Sequence, residues 1–354
     1  PFLYLTAFTR GEQPATLVWD LPPDSDLSLE ETHPQCQENC QYQGPVRLRT
    51  ALANDYVAPA LYYWEKLGQA NVENIINNLD ITLDSSECAD CEAWWDQKAV
   101  TLLDIAQAYG VLGNQGFLVG SSSSLDNGNL SPVSILRVED WSGNIWHQSP
   151  ELANKSVISS QLAYLLTNIL ADERARWPSL GHPNVLEIGR PVGVKIGHTA
   201  EGDSAWTVGY TPQRVIAVWA ERDVTGDDGT FSEDADPDRA QTFSAKIASG
   251  LWRALAQYAT RELPPLSWEI PVGVSTVDVC VPSGKLPTEY CPTIVREVFI
   301  SGNEPNQADT LYQVREINRE TGRLATVFTP PEFIEERVYL IVPPKADEWA
   351  ATQG

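Results

Sequence analysis

Methionine is absent from all 354 residues, and the chain opens on Pro1. Translation starts with methionine, so the sequence reads as a processed piece, or the ordered part of something longer, with room for a membrane anchor upstream. Long apolar runs are missing too. No stretch approaches the roughly 18 apolar residues a spanning helix requires, and no signal peptide opens the chain. Basic residues are scarce: 24 Lys and Arg stand against 48 Asp and Glu, a formal net charge of −24. Nucleic-acid binding depends on Lys and Arg replacing phosphate counterions, so the balance argues against DNA or RNA partners. The same field opposes anionic lipid surfaces. A solvated acidic surface that keeps an exported protein soluble accounts for it. What is present is otherwise ordinary: 42% hydrophobic and 20% charged residues suit a folded globular chain. The length allows two domains, or one large core with an appendage.

The six cysteines form three close pairs: Cys36 and Cys40, Cys88 and Cys91, Cys280 and Cys291. An even number in a chain whose acidic surface suits export points to disulfides. The first four also have tolerable spacing for a tetrahedral zinc site, and Cys88 with Cys91 forms a CxxC of the redox type. Cys280 and Cys291 flank a short turn containing Pro282 and Gly284, where a bridge is the firmest expectation. No metal or other cofactor is otherwise called for. The acidic stretch around Asp223, Asp227, Asp228 and Asp234 lacks the register of a calcium loop and reads as exposed surface. Most of the 12 tryptophans, Trp206 and Trp219 among them, read as packing residues rather than sugar platforms.

Hydrophobic spacing predicts helices over the opening segment (Phe2, Leu3, Leu5 and Phe8 on one face, Gly11 as C-cap) and over 48–67, the latter kinked or ended near position 58 by Pro59. Further helices are expected at 71–79, at 101–113 with Leu102, Ile105, Ala106 and Tyr109 inward, from Ser159 or Ser160, and at 240–259. Residues 120–130 read as a flexible tip. A hairpin should turn at Trp141-Ser142-Gly143-Asn144. Three alternating runs around Lys195, Trp206 and Trp219 predict neighbouring antiparallel strands. After Leu263 the composition becomes proline-rich and strand-like.

Val194-Lys195-Ile196-Gly197-His198-Thr199 and Trp206-Thr207-Val208-Gly209-Tyr210-Thr211-Pro212 resemble the Lys-Thr-Gly strand and following run of class A penicillin-binding-protein transpeptidase domains. Gly44 to Asn54, Leu102 to Gly110 and Ser160 to Thr167 resemble further blocks of that family in the same order, so the resemblance covers residues 1 to about 260. Val279 to Pro292 and Ile317 to Ala325 resemble the C-terminal extensions of some large members. The resemblance implies an α+β fold over 1–262, an antiparallel sheet flanked by helices, with a small β-rich extension over 263–354. It implies an extracytoplasmic, cell-envelope setting, with peptidoglycan or other envelope proteins as partners, or a place in a larger assembly.

The family's chemistry uses Ser-x-x-Lys, Ser-x-Asn and Lys-Thr-Gly. Pro1-Phe2 resembles the Pro-Phe that comes directly after the first of these in the family. The nucleophile is thereby placed upstream of the chain, with no catalytic residue left within it. At the second, Asp55 stands for the serine and Val57 for the asparagine. An ionised aspartate donates no proton and repels a substrate carboxylate; valine offers no hydrogen bond. At the third, Lys195, Gly197 and Thr199 match, Ile196 replaces a threonine, and His198 reads as a strand-edge residue. By resemblance Asp55, Val57, Lys195, Gly197 and Thr199 line the cleft, and Lys195 is expected to pair with Asp55. The residues support two readings: a catalytically degenerate module for cell-wall association or assembly, or part of an active serine D,D-transpeptidase completed upstream.

Overall fold

The structure is a computed structural model. It describes residues 1–22, 42–81, 100–121, 130–198, 204–221 and 237–353, the side chains of 237–244 excepted. The helix α1 (Phe2–Thr9) buries five consecutive residues, Tyr4 to Phe8. It therefore runs through the core, whereas the sequence predicts a single apolar face. Its C-cap is Arg10, with Gly11 following in the left-handed region.

The strand β1 (Leu17–Asp20) pairs antiparallel with β2 (Gly44–Arg47), which runs straight into α2 (Leu48–Ala53). The helix α3 (Val57–Leu67) follows. The expected break near position 58 falls instead at Asn54 to Tyr56, and Pro59 lies inside the first turn of α3. A proline is tolerated there because first-turn N–H groups have no partner within the helix.

Next come α4 (Gln69–Asn78) and α5 (Leu102–Gly113), the latter capped by the Thr101 hydroxyl accepting the Asp104 N–H at 3.1 Å. Leu102 is exposed, not inward as its spacing predicts; Ile105 packs against the core as expected, and burial is complete only from Ala108 and Tyr109 to Val111, Leu112 and Gly113. The strand β3 (Phe117–Gly120) pairs with β6 (Ala153–Ser156) and encloses the hairpin of β4 (Arg137–Glu139) and β5 (Ile145–Gln148). The Asp140 carboxylate accepts the N–H groups of Ser142 and Asn144 at 2.8 and 2.9 Å, which locks the expected turn. The helix α6 (Ser160–Leu170) is capped by Ser159, which accepts the Leu162 N–H at 3.3 Å. A 3₁₀ turn (Arg174–Arg176) and α7 (Trp177–Leu180) close this layer.

The central sheet is antiparallel in the order β7 (Gly193–His198), β8 (Ser204–Tyr210), β9 (Val215–Glu221), as the three runs predict. Alternation along the strands divides it into two faces. Val194, Ala205 and Val218 pack on the long helix α8 (Pro237–Thr260) around the fully buried Trp252. Val208 and Tyr210 face the other way, into the larger core with α1, α2, α5 and α6.

The C-terminal region holds the hairpin β10 (Val274–Cys280) and β11 (Ile294–Ile300), then β12 (Tyr312–Asn318) between β13 (Arg323–Leu324) and β14 (Ile334–Leu340), and finally α9 (Asp347–Gln353). Cys280 and Cys291 are joined, as expected; Cys36, Cys40, Cys88 and Cys91, the tip beyond Ser121 and the acidic loop lie outside the described residues. The hairpin is sewn to the body of the protein. Val298 enters the main core, Ala15 packs with Val279 and Phe299, and the Trp268 indole donates to the Gly113 carbonyl at 3.0 Å. Among the described residues no helix is long and apolar enough to cross a membrane.

Candidate functional site

The Trp206-to-Pro212 run owes much of its composition to packing. Gly209 lies beneath the indole of Trp252, where any Cβ would collide with the ring. Tyr210 is fully buried, its hydroxyl 2.9 Å from Thr167 Oγ1, and burial pushes its phenol up. Gly193 leaves room for the same Tyr210 ring. These residues fix β8 against α8 on one side and α6 on the other, and so hold the neighbouring β7 at the sheet edge.

From that edge Lys195 and Gly197 project to the same side as Trp206, Val208 and Trp219. The Lys195 side chain is 11% exposed and forms an ion pair with Asp55, which is 61% exposed. Lys195 Nζ also donates to the Ile196 carbonyl at 2.7 Å. Gly197 is exposed, with open space where a Cβ would stand. Ile196 turns to the opposite face and packs beside the Trp252 cluster. His198 ends β7 opposite Ala205, and Thr199 lies outside the described residues.

Asp55 reaches Lys195 from the turn between α2 and α3. Asn54 anchors that turn: its amide donates to the Thr50 and Ala175 carbonyls at 2.9 and 2.7 Å and accepts the Ser179 N–H at 3.0 Å. Asp55 then takes a φ of +57°, a left-handed conformation that aspartate tolerates better than most residues. Val57, half-buried, opens α3. The nitrogen of Pro1 lies close enough to feel the charges of Lys195 and Asp55. Thus β7 and the turn between α2 and α3 meet at the ion pair of Lys195 with Asp55; Val57 opens the helix after that turn, and Gly197 lies two residues further along the strand. This arrangement presents an edge strand and one cation, and the cation is already paired with Asp55.

Three features escape sequence reasoning. The hydroxyl of Tyr4 is buried with no hydrogen bond among the described residues, its phenol pushed up by burial and then by the charges of Asp55 and Asp20. A cavity of about 280 Å³ opens between β1 and α3, walled by Trp19, Tyr62, Tyr63 and Lys345. None of Asp55, Val57, Lys195 and Gly197 lines it. Finally, Glu297 of β11 is fully buried between Arg47 at 2.6 Å and Arg49, and Arg49 continues to Asp172 at 3.1 Å. Burial pushes the Glu297 carboxyl up, but the Arg49 guanidinium, through charge and hydrogen bonds, and then Arg47 hold it below the ordinary carboxylate value. The alternation of Arg47 and Arg49 hints at an anion, but its source lies some 250 residues further along the chain.

A family model described as the C-terminal domain of penicillin-binding protein 1A matches residues 270–314. The penicillin-binding protein 1A of Clostridium botulinum (strain Langeland) is 28% identical over 313 residues, covering 84% of this chain and 34% of that protein. That of Escherichia coli (strain K12) is 24% identical over 395 residues, covering 87% and 43%. The chain thus spans about a third to two fifths of the curated relatives it matches. The fold is similar to penicillin-binding protein 1A from Haemophilus influenzae, with a TM-score of 0.63 at 19% identity over 87% of this chain and 48% of that one. It is also similar to PonA1 from Mycobacterium tuberculosis, with a TM-score of 0.53 at 19% identity over 76% and 69%.

Proposed function

Because this chain is a transpeptidase-like domain of the class A penicillin-binding proteins, we propose that it serves in the cell envelope as a module with a catalytically degenerate cleft. Its work would be cell-wall association or assembly, with peptidoglycan or other envelope proteins as partners. The observation that carries this reading is the ion pair of Lys195 with Asp55. A cation on the edge strand is the natural seat for a substrate or β-lactam carboxylate. Here a neighbouring carboxylate holds it, so an incoming anion must displace Asp55 or bind beside it, against like charge. Val57 adds no polar group to compensate. The test is intact mass of the protein isolated from its source, with whatever precedes Pro1 attached, before and after incubation with a β-lactam. No change is expected. A gain of one antibiotic molecule overturns the degenerate reading.

The second reading, part of an active D,D-transpeptidase, draws on one observation. The Pro1 nitrogen feels the charges of Lys195 and Asp55, and Pro1-Phe2 resembles the residues that directly follow Ser-x-x-Lys in the family. A Ser-x-x-Lys preceding Pro1 would supply the nucleophile and its proton acceptor. The same mass experiment decides between the two.

A further inference from the structure

We infer that Glu297, in the C-terminal hairpin, is a positioning residue for the cleft: it fixes the start of α2 and thereby sets where the following turn presents Asp55 to Lys195. The inference rests on reading that ion pair as the occupied cleft.

Arg47 ends β2 and Arg49 lies in the first turn of α2, so two guanidinium groups meet at one strand-to-helix junction. Their mutual repulsion in a buried place is relieved by a shared anion. Glu297 supplies it. Its carboxylate accepts from Arg47 at 2.6 Å and from Arg49 Nε at 2.9 Å, and it also takes the Val298 N–H at 3.0 Å. Arg49 reaches past it to α6, donating to the Asn168 carbonyl at 3.1 Å, the Asn168 side chain at 2.6 Å and Asp172 at 3.1 Å. The start of α2 is therefore pinned to both β11 and α6.

The helix has only six residues, a rod of about 9 Å, too short to bend. What moves its first turn moves its last. Asn54 closes that last turn, bound to the 3₁₀ turn and α7. Asp55 is the next residue. Lys195 is held by a different body, the sheet of β7 to β9. The two halves of the ion pair thus depend on separate supports, and the placement of α2 brings them together. Glu297 comes from neither support, which makes the hairpin a brace acting on the cleft from outside it.

The test uses the full 354-residue chain with its lysines reductively methylated with ¹³C and followed by NMR. The Lys195 signal is the one lost in Lys195→Arg, and Asp55→Asn defines its position without a carboxylate partner. Glu297→Gln is expected to move it at least halfway toward that position, with the Lys66 and Lys246 signals unmoved. Glu297→Asp, which keeps the charge on a shorter arm, is expected to restore part of the displacement; a purely structural role would not separate the two variants in this way. Should Glu297→Gln fail to fold, Glu297→Asp decides the matter, with a smaller displacement in the same direction and unchanged far-UV circular dichroism. If Asp55→Asn moves the Lys195 signal but neither of the other two does, the positioning role is overturned and the cleft reading stands. If Asp55→Asn leaves the signal in place, the cleft reading fails and takes the inference with it.

Discussion

At the scale of single residues, a shared motif mixes chemistry with packing, and the structure separates them. Lys195 and Gly197 lie two positions apart on one strand, yet only the first has a polar partner. Gly209 looks like one more motif glycine, but its role is to admit the Trp252 indole. Gly209→Ala should therefore cost about 1–3 kcal/mol, the usual penalty for forcing a methyl into a filled core. Gly197→Ala, pointing into open space, should change stability by less than about 0.5 kcal/mol. Urea unfolding of the two variants checks the contrast. Asp55 offers a second comparison. Its 61% exposure leaves the pair with Lys195 well screened, so Asp55→Asn should cost no more than about 1 kcal/mol. Asp55→Gly loses the same charge but relieves the left-handed backbone, which favours glycine by roughly 1 kcal/mol. It should therefore unfold at higher temperature than Asp55→Asn in a calorimetric scan.

At the scale of elements, what was legible in the sequence depended on local signals. The three strands around Lys195, Trp206 and Trp219, the hairpin turn and the Ser159 cap are all encoded within a few residues of themselves, and the structure has them. The pairing of β3 with β6 was not legible, because each is four residues long and its partner lies beyond the whole intervening hairpin. The break between α2 and α3 was misplaced because a proline is a strong signal wherever it stands, while its consequence depends on which turn of the helix receives it. For the candidate site, the pairing of Asp55 with Lys195 was legible through the resemblance of their two motifs to one family. The hairpin of β4 and β5 leaves Trp141 and Trp146 98% and 77% exposed. Neither supports the core, so Trp141→Ala and Trp146→Ala should each leave thermal stability within about 0.5 kcal/mol of the parent. A larger loss would mean that the hairpin folds back on the body of the protein in solution.

At the scale of the whole molecule, an apparent boundary near residue 263 conceals a joint. The composition changes there, but Glu297 and Val298 return to the body of the protein, and composition carries no record of contacts made across 250 residues. The joint has a pH signature whose sign is set by the direction of one shift. Glu297 is held below its ordinary value of 4.5 in the folded protein. Its contribution is therefore fully present above that ordinary value and is lost as pH falls from there through the lower folded value. Glu297→Ala leaves two buried guanidinium groups without their shared anion, which should cost about 3–5 kcal/mol at neutral pH. It should also flatten the acid limb of the stability curve, since the group that titrates there is gone. Replacing Arg47, Arg49 and Glu297 together by apolar residues of similar size should recover most of the loss, because no buried charge is then left unpaired. Denaturant unfolding between pH 3 and 7 reads all three outcomes. If Glu297→Ala keeps the parent's acid limb, the titration belongs to other carboxylates and the joint is held by its apolar contacts alone.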